Sequence, residues 1–176
     1  MTTMQRLAMM INRRYIGIDP GAHGAIAIIA DNIVTLIDLT NNIENYWAQM
    51  TYLVDDTGAY EDNICYVEDV YGRPGQSCAA NNTFMKLAGY AEFLGFSIAD
   101  GFHKVTPSVW KKYFGLTGVK GETKTQKKHR SIELAKKLFP SVAGELTASK
   151  DGRAEALLIA EYGRQQYENN ETREGC

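Results

Sequence analysis

Two short apolar runs near the start of the chain constrain its fold most strongly. Residues 15–19 (YIGID) and 24–30 (GAIAIIA) are rich in isoleucine and are separated by only four positions. The gap opens with Pro20 and Gly21 directly after Asp19, which is a turn sequence. The spacing predicts two paired antiparallel strands. A third run at residues 33–39 (IVTLIDL) follows the Asp31-Asn32 turn and predicts a three-stranded meander.

Beyond the meander, the apolar pattern alternates between helix and strand. The predicted helices span residues 41–54, 77–94, 107–114, 123–138 and 151–167, and the further strands span residues 63–69 and part of 95–105. This order predicts an α/β fold with a mixed central sheet of about five strands flanked by helices. We expect a loose leader over residues 1–14, one domain over 15–169 and a polar tail over 170–176.

Composition excludes several classes of protein. A chain of 176 residues with 44% hydrophobic residues can bury a core without help from a metal or a disulfide. No apolar run approaches the ~20 residues of a membrane helix, so we expect no membrane partner. The three cysteines are odd in number and widely spaced, which favours neither a disulfide framework nor a thiolate zinc site. We expect a reducing, intracellular location, namely the cytoplasm.

Four carboxylates stand at the ends of predicted elements. Asp19 closes the first strand, Glu68 closes the fourth, and Asp151 and Glu155 lie four residues apart at the start of the last helix, on one face. If the first and fourth strands are neighbours, these side chains converge. Clustered carboxylates need cations to stay ionised, and Mg²⁺ favours such ligands.

Each of these carboxylates also has a simpler explanation. Asp19 could be a turn former, Glu68 a solvated strand end, and Asp151 and Glu155 partners of the helix dipole. Their joint occurrence is what favours a metal site.

The charge distribution is uneven, although the net charge is only −2. Residues 104–137 contain ten lysines and arginines but only Glu122 and Glu133 as acidic residues. A basic block beside a carboxylate site is typical of a surface that binds a polyanion, and a solvated lysine-rich helix is the alternative. His23, His103 and His129 show no spacing typical of metal ligands. Tyr71, close after Glu68, could stack on a base or pack against the following loop.

Several segments, taken in order, carry a family resemblance. They are residues 15–21 (YIGIDPG), 66–68 (YVE), 105–111 (VTPSVWK), 120–126 (KGETKTQ) and 151–160 (DGRAEALLIA). In sequence and spacing they resemble the RuvC-type Holliday junction resolvases of the RNase H-like superfamily. The sequence of residues 151–160 and the basic insert look more like phage-encoded relatives. The family usually places its last two acidic residues three apart, whereas Gly152 stands at the matching position here.

The resemblance implies an RNase H-like fold and a set of site residues. Asp19, Glu68, Asp151 and Glu155 would be catalytic ligands of two Mg²⁺ ions, with Mn²⁺ able to substitute. Lys111 and Lys124 match backbone-contacting lysines, and Tyr71 matches the aromatic residue beside the exchange point. The remaining DNA contacts would come from Arg73 and the basic segment, namely Lys112, Lys120, Lys127 and Lys128.

The function expected from this resemblance is hydrolysis of DNA four-way junctions in recombination, repair or phage DNA processing. The products would carry 5′-phosphate and 3′-hydroxyl ends. Two symmetric cuts imply a homodimer, for which residues 77–94 form the expected interface helix.

Three other functions stay open. One is an RNase H-like nuclease acting on RNA–DNA hybrids or other branched DNA. Another is an actin-like ATPase, whose phosphate loop resembles the Asp-Pro-Gly hairpin but which needs a second such hairpin and about twice the length. The last is a junction-binding protein without catalytic activity.

Overall fold

The structure, a computed structural model, describes residues 13–31, 33–56, 62–72 and 74–174. The strands are β1 (Arg13–Asp19), β2 (Ala25–Ala30), β3 (Ile33–Asp38), β4 (Asp62–Glu68) and β5 (Gly101–Val105). The helices are α1 (Ile43–Asp56), α2 (Cys78–Ile98), α3 (Pro107–Tyr113), α4 (Lys124–Leu138) and α5 (Asp151–Glu174), with 3₁₀ turns at Pro140–Glu145 and Ala148–Lys150. Residues 1–12 of the expected leader and 175–176 of the expected tail lie outside the described residues. Within the described ranges, no helix has the length and apolar character needed to cross a membrane.

The five strands form one mixed sheet in the order β3-β2-β1-β4-β5. The pairs β1–β2 and β2–β3 are antiparallel, as the meander predicts, and β1–β4 and β4–β5 are parallel. This arrangement confirms the predicted α/β fold and is consistent with an RNase H-like architecture. The expected neighbourhood of the first and fourth strands is also confirmed, because Ile18 lies opposite Val67. Asp19 and Glu68, the last residues of these two strands, therefore lie at the same edge of the sheet.

Helices cover both faces of the sheet and create two buried layers. Ile16 and Ile18 of β1 pack with residues of α1 and α2, such as Leu53 and Leu94. Tyr15 points to the other face, where the core is built mainly from α5. Because successive strand residues face opposite layers and both layers are dry, β2 is apolar along its whole length.

β1 and α5 pack closely against each other. A Cβ atom on Gly17 would lie 2.1 Å from the carbonyl oxygen of Ala156 and 2.3 Å from the amide nitrogen of Ala160. Both contacts are with backbone, which cannot rotate away. Glycine at this position therefore lets α5 pack directly on the central strand.

β1 begins two residues earlier than the sequence pattern predicts. The side chains of Arg13 and Arg14 have partners on β4: Arg13 Nε donates to Asp62 Oδ2 at 2.8 Å, and Arg14 Nε donates to Asn63 Oδ1 at 2.7 Å. These bonds let two arginines enter a strand whose next five residues are Tyr15 to Asp19, with Asp19 at its end.

Two helices continue by four or more residues past their predicted ends. α5 reaches Glu174 rather than residue 167 because its last turns pack on the start of β1. The ring of Tyr167 meets Tyr15 edge to face at 6.3 Å, and Glu171 Oε2 accepts from Arg13 Nη1 at 3.0 Å. α2 runs to Ile98, beyond the predicted residue 94, and Ile98 is buried against the sheet.

Candidate metal centre

Three of the four predicted carboxylates meet at the carboxyl edge of the sheet. Asp19 and Glu68 are the last residues of β1 and β4, and Glu155 lies one turn into α5. Each offers an oxygen atom, and these atoms lie within 4.8 Å of one another. The structure thus brings together Asp19, Glu68 and Glu155, which we call the acidic triad.

Asp151 lies at the rim of the triad and outside it. Its Oδ2 forms an ion pair with Lys128 Nζ at 2.6 Å. The neighbouring Gly152 packs against the β1–β2 connection, because a Cβ there would lie 2.2 Å from the carbonyl oxygen of His23 and 3.2 Å from Asp19 Oδ2. A side chain at position 152 is therefore excluded, which accounts for the four-residue spacing between the two acidic residues of α5.

Burial and mutual repulsion perturb the triad. Burial raises the pKa of the Asp19 carboxyl well above its usual range, and the negative charges of Glu68 and Glu155 raise it further. Lys111 acts in the opposite direction. A divalent cation would relieve this repulsion, and a donor set made only of carboxylate oxygens suits hard cations. The acidic triad could therefore hold a metal ion.

Glu68 has a buried hydrogen-bond donor that the sequence analysis missed. Trp110 Nε1 donates to Glu68 Oε1 at 2.9 Å, and Trp110 is fully buried while Glu68 is 8% exposed. No local pattern signals this contact, because the two residues lie 42 positions apart in the chain.

The side chain of Lys111 contacts the acidic triad and is only partly exposed to solvent. Its Nζ lies 3.2 Å from both carboxylate oxygens of Glu155 and 4.8 Å from the centre of the Trp110 ring. The sequence analysis assigned this lysine to a DNA phosphate. The structure places its ammonium against Glu155 of the acidic triad.

The triad faces a cleft of about 510 Å³. Its walls include the β1–β2 connection, Tyr71, Lys111 and Lys128. Tyr71 is 67% exposed, and its hydroxyl donates to Asp69 Oδ2 at 2.7 Å. Asp69 in turn pairs with Lys104 at 2.9 Å, so an exposed aromatic ring is fixed at the rim of the cleft.

A second depression of about 430 Å³ adjoins the cleft and shares Lys111 and Lys128 with it. Lys124 and Lys127 line its other side. We call these four lysines the basic track. It extends from α4 to α3 and reaches the acidic triad through Lys111, which contacts Glu155.

The other predicted DNA contacts are not part of this surface. Lys112 is exposed on α3 but lines neither depression, and Lys120 lines a separate one beside Glu122 and Arg130. Successive residues of a helix point about 100° apart, so Lys112 faces away from Lys111. Lys120 belongs to the connection between α3 and α4 and faces a different depression. Arg73 lies outside the described residues.

A comparison with models of known protein families finds no match, and a comparison with curated proteins finds none either. The site must therefore be interpreted from its own geometry.

Proposed function

We propose that this protein is a metal-dependent DNA endonuclease that resolves four-way junctions. The observation that carries the proposal is the acidic triad, which lies in an open cleft continuous with the basic track. Lysines bind the phosphates of a nucleic acid, and cations held by carboxylates catalyse the hydrolysis of its phosphodiester bonds. The ordered resemblance of the sequence to RuvC-type resolvases supports a branched DNA substrate.

The chemistry would depend on cations held by Asp19, Glu68 and Glu155. Two Mg²⁺ ions, or Mn²⁺ in their place, would activate water and stabilise the leaving 3′ oxygen when bound. Asp151 adds negative charge at the edge of the triad, and Lys111 offsets part of the total charge. Cleavage of the bond between the phosphorus and the 3′ oxygen leaves 5′-phosphate and 3′-hydroxyl ends.

The basic track would position the DNA backbone. Its four lysines contact phosphates without reading sequence, so binding should depend steeply on salt. Tyr71 stands where an unstacked base at a branch point could stack on its ring, a contact that tolerates any base.

A four-way junction has two symmetric phosphates to cut, so we propose a homodimer with α2 at its interface. The apolar residues that α2 exposes support this choice: Met85, Phe93 and Phe96 are 41%, 61% and 67% exposed. Large apolar side chains grouped on one exposed helix are typical of a protein interface. Sedimentation of the wild type and of Phe93→Glu tests it, with the variant expected to be monomeric.

The central experiment compares four substrates under one condition. The purified protein is incubated with a labelled four-way junction, a linear duplex of the same sequence, an RNA–DNA hybrid and ATP, each with Mg²⁺ and with EDTA. We expect paired, symmetric nicks in the junction alone, and only with Mg²⁺. Asp19→Asn serves as the control that should bind the junction without cutting it.

The other outcomes identify the alternatives. Cleavage of the hybrid and not of the junction would indicate an RNase H-like activity, and hydrolysis of ATP would indicate an ATPase. Tight junction binding by the wild type with no cleavage in Mg²⁺ would indicate a structural junction-binding protein. Each of these results would overturn the proposal.

A further inference from the structure

The start of α3 is fixed beside Glu68 by the sheet. β4 and β5 are parallel, and Glu68 pairs with Val105, the last residue of β5. Pro107 begins α3 two positions later, with Thr106 as its N-cap residue. Trp110, one turn into the helix, is therefore brought back over the end of β4.

The orientation of the Trp110 ring is set by packing. The side chain is fully buried in the layer that α5 forms with the sheet, together with residues such as Val105 and Leu158. Close packing allows a large planar ring few alternative orientations. Its indole nitrogen is a donor only, so the direction of its N–H fixes what kind of group can lie opposite it.

The group opposite is a carboxylate of the triad. Glu68 Oε1 accepts the indole N–H at 2.9 Å inside the protein, where a hydrogen bond to a charged acceptor is strong. A glutamate has three side-chain torsions, and the bond to a rigid donor restricts them. Partners of this kind orient the ligands of metal sites.

We propose that Trp110 is a positioning residue whose indole N–H holds the Glu68 carboxylate in the orientation needed to bind a cation together with Asp19 and Glu155. This role rests on the proposed metal-dependent function, but it concerns cation binding alone. Packing in the core alone would not require the indole N–H of Trp110 to bond to Glu68.

The sharpest test replaces one atom group. Incorporating 3-benzothienylalanine at position 110 keeps the bicyclic shape and substitutes sulfur for the N–H. Mn²⁺ binding is then measured without DNA, from the electron paramagnetic resonance signal of the free ion. Loss of such an orienting partner should raise the Kd for Mn²⁺ about tenfold or more. Trp110→Phe is the genetically simpler second variant and should act in the same direction.

Three matched controls separate positioning from packing. The same replacement at Trp47, which is 64% exposed on α1 and is the other of the two tryptophans, should leave the Kd unchanged. Ile132→Val removes a methyl group from the same core layer, and it should lower the melting temperature without changing the Kd. A double-mutant cycle should show that the effect at position 110 disappears in Glu68→Ala, which removes the acceptor of the indole N–H, and persists in Glu155→Ala.

Nuclear magnetic resonance gives an independent readout. Mn²⁺ is replaced by diamagnetic Mg²⁺, and the indole N–H signals of the two tryptophans are followed during titration. The Trp110 signal should shift and the Trp47 signal should not, and Glu68→Gln should shift the Trp110 signal without any metal.

The outcomes are distinct. A wild type that binds Mn²⁺ and a benzothienyl variant that binds it equally well would overturn the positioning role and leave the proposed function intact. A wild type that binds neither Mn²⁺ nor Mg²⁺ would overturn both. A weakened affinity that persists equally in the Glu68→Ala background would show that Trp110 acts through packing, which also overturns the proposal.

Discussion

The ammonium of Lys111 lies 3.2 Å from each carboxylate oxygen of Glu155. This contact gives Glu155 a partner from α3, so its place near the start of α5 is not explained by the helix dipole alone. Glu155 is also close enough to Asp19 to raise the pKa of that carboxyl. Under the proposed function, its replacement should therefore change stability and activity in opposite directions.

Glu155→Gln should cut Mg²⁺-dependent cleavage about a hundredfold or more, since it removes a direct ligand where loss of an outer partner already costs 10–100-fold. Removing one negative charge relieves repulsion in the triad, and the lost ion pair with Lys111 is worth at most about 1 kcal/mol. The melting temperature in EDTA should therefore stay level or rise. Both quantities are measured on one sample, and a destabilised variant of full activity would remove Glu155 from the site.

Asp19→Asn should change how stability depends on pH. Because the folded protein raises the pKa of Asp19, the wild type loses stability as the pH rises from the unfolded value of about 3.9 towards the raised value. The asparagine variant lacks this loss, so the two should be alike near pH 3 and the variant more stable at pH 7. Urea unfolding in EDTA at both pH values measures the difference. A variant less stable at pH 7 would contradict the described electrostatics.

Asp38 should stabilise the protein in the opposite pH range. Arg153, with help from Lys150, lowers the pKa of Asp38 to about 2 and ties the end of β3 to the start of α5. A depressed pKa contributes stability that is present above about pH 4 and is lost as the pH falls towards 2. Asp38→Asn should therefore be less stable than the wild type at pH 7, with the gap closing between pH 4 and 2. Because the Asp38 side chain is 40% exposed, 1 M salt should also narrow the gap.

The basic track should determine the salt dependence of DNA binding. Replacing Lys124, Lys127 and Lys128 by alanine should lower the slope of log K against log salt by up to about 2.7, since each phosphate contact contributes about 0.9. Lys136→Ala with Lys137→Ala, at the other end of α4, is the matched control and should leave the slope unchanged. Equal slopes for the wild type and the triple variant would mean that this face is only solvated.

Gly17→Ala should destabilise the fold strongly, because backbone of α5 fills the space beside Gly17. Gly17→Ala places a methyl group 2.1 Å from backbone of α5, so the helix must move away from the sheet, and we expect a loss of about 3 kcal/mol or more. Gly144→Ala, exposed in the 3₁₀ turn at Pro140–Glu145 with nothing within 4 Å, is the control and should change the free energy of unfolding by no more than about 1 kcal/mol. Chemical denaturation of both variants compares them, and similar stabilities would contradict the close packing of β1 against α5.

Local patterns were sufficient to predict the sheet and a set of four carboxylates that contains the whole acidic triad. Turn residues and apolar runs define the meander, and neighbouring strand ends share an edge, so Asp19 and Glu68 had to converge once β1 and β4 were placed side by side. Helical spacing then put Asp151 and Glu155 on one face. It could not show that only Glu155 reaches the triad, because that depends on how closely α5 starts against the β1–β2 connection.

What escaped prediction depends on partners distant in sequence. Nothing near Trp110 in the chain reveals that its indole would meet Glu68, 42 residues away. Arg13 and Arg14 looked like the end of a leader because their partners, Asp62 and Asn63, belong to another strand. Charge counting could identify a basic segment, but it could not separate Lys112 and Lys120 from the lysines that share one surface.

The triad draws its members from distant parts of the chain, which has a consequence for biosynthesis. Asp19 and Glu68 emerge from the ribosome long before Glu155, and the helix that carries Glu155 also covers one face of the central strand. A nascent chain still lacking α5 therefore has two of the three carboxylates and an incomplete core. Under the proposed function, a nuclease built this way acquires its cutting centre only when translation of the last helix is finished, so unfinished chains cannot damage nearby DNA.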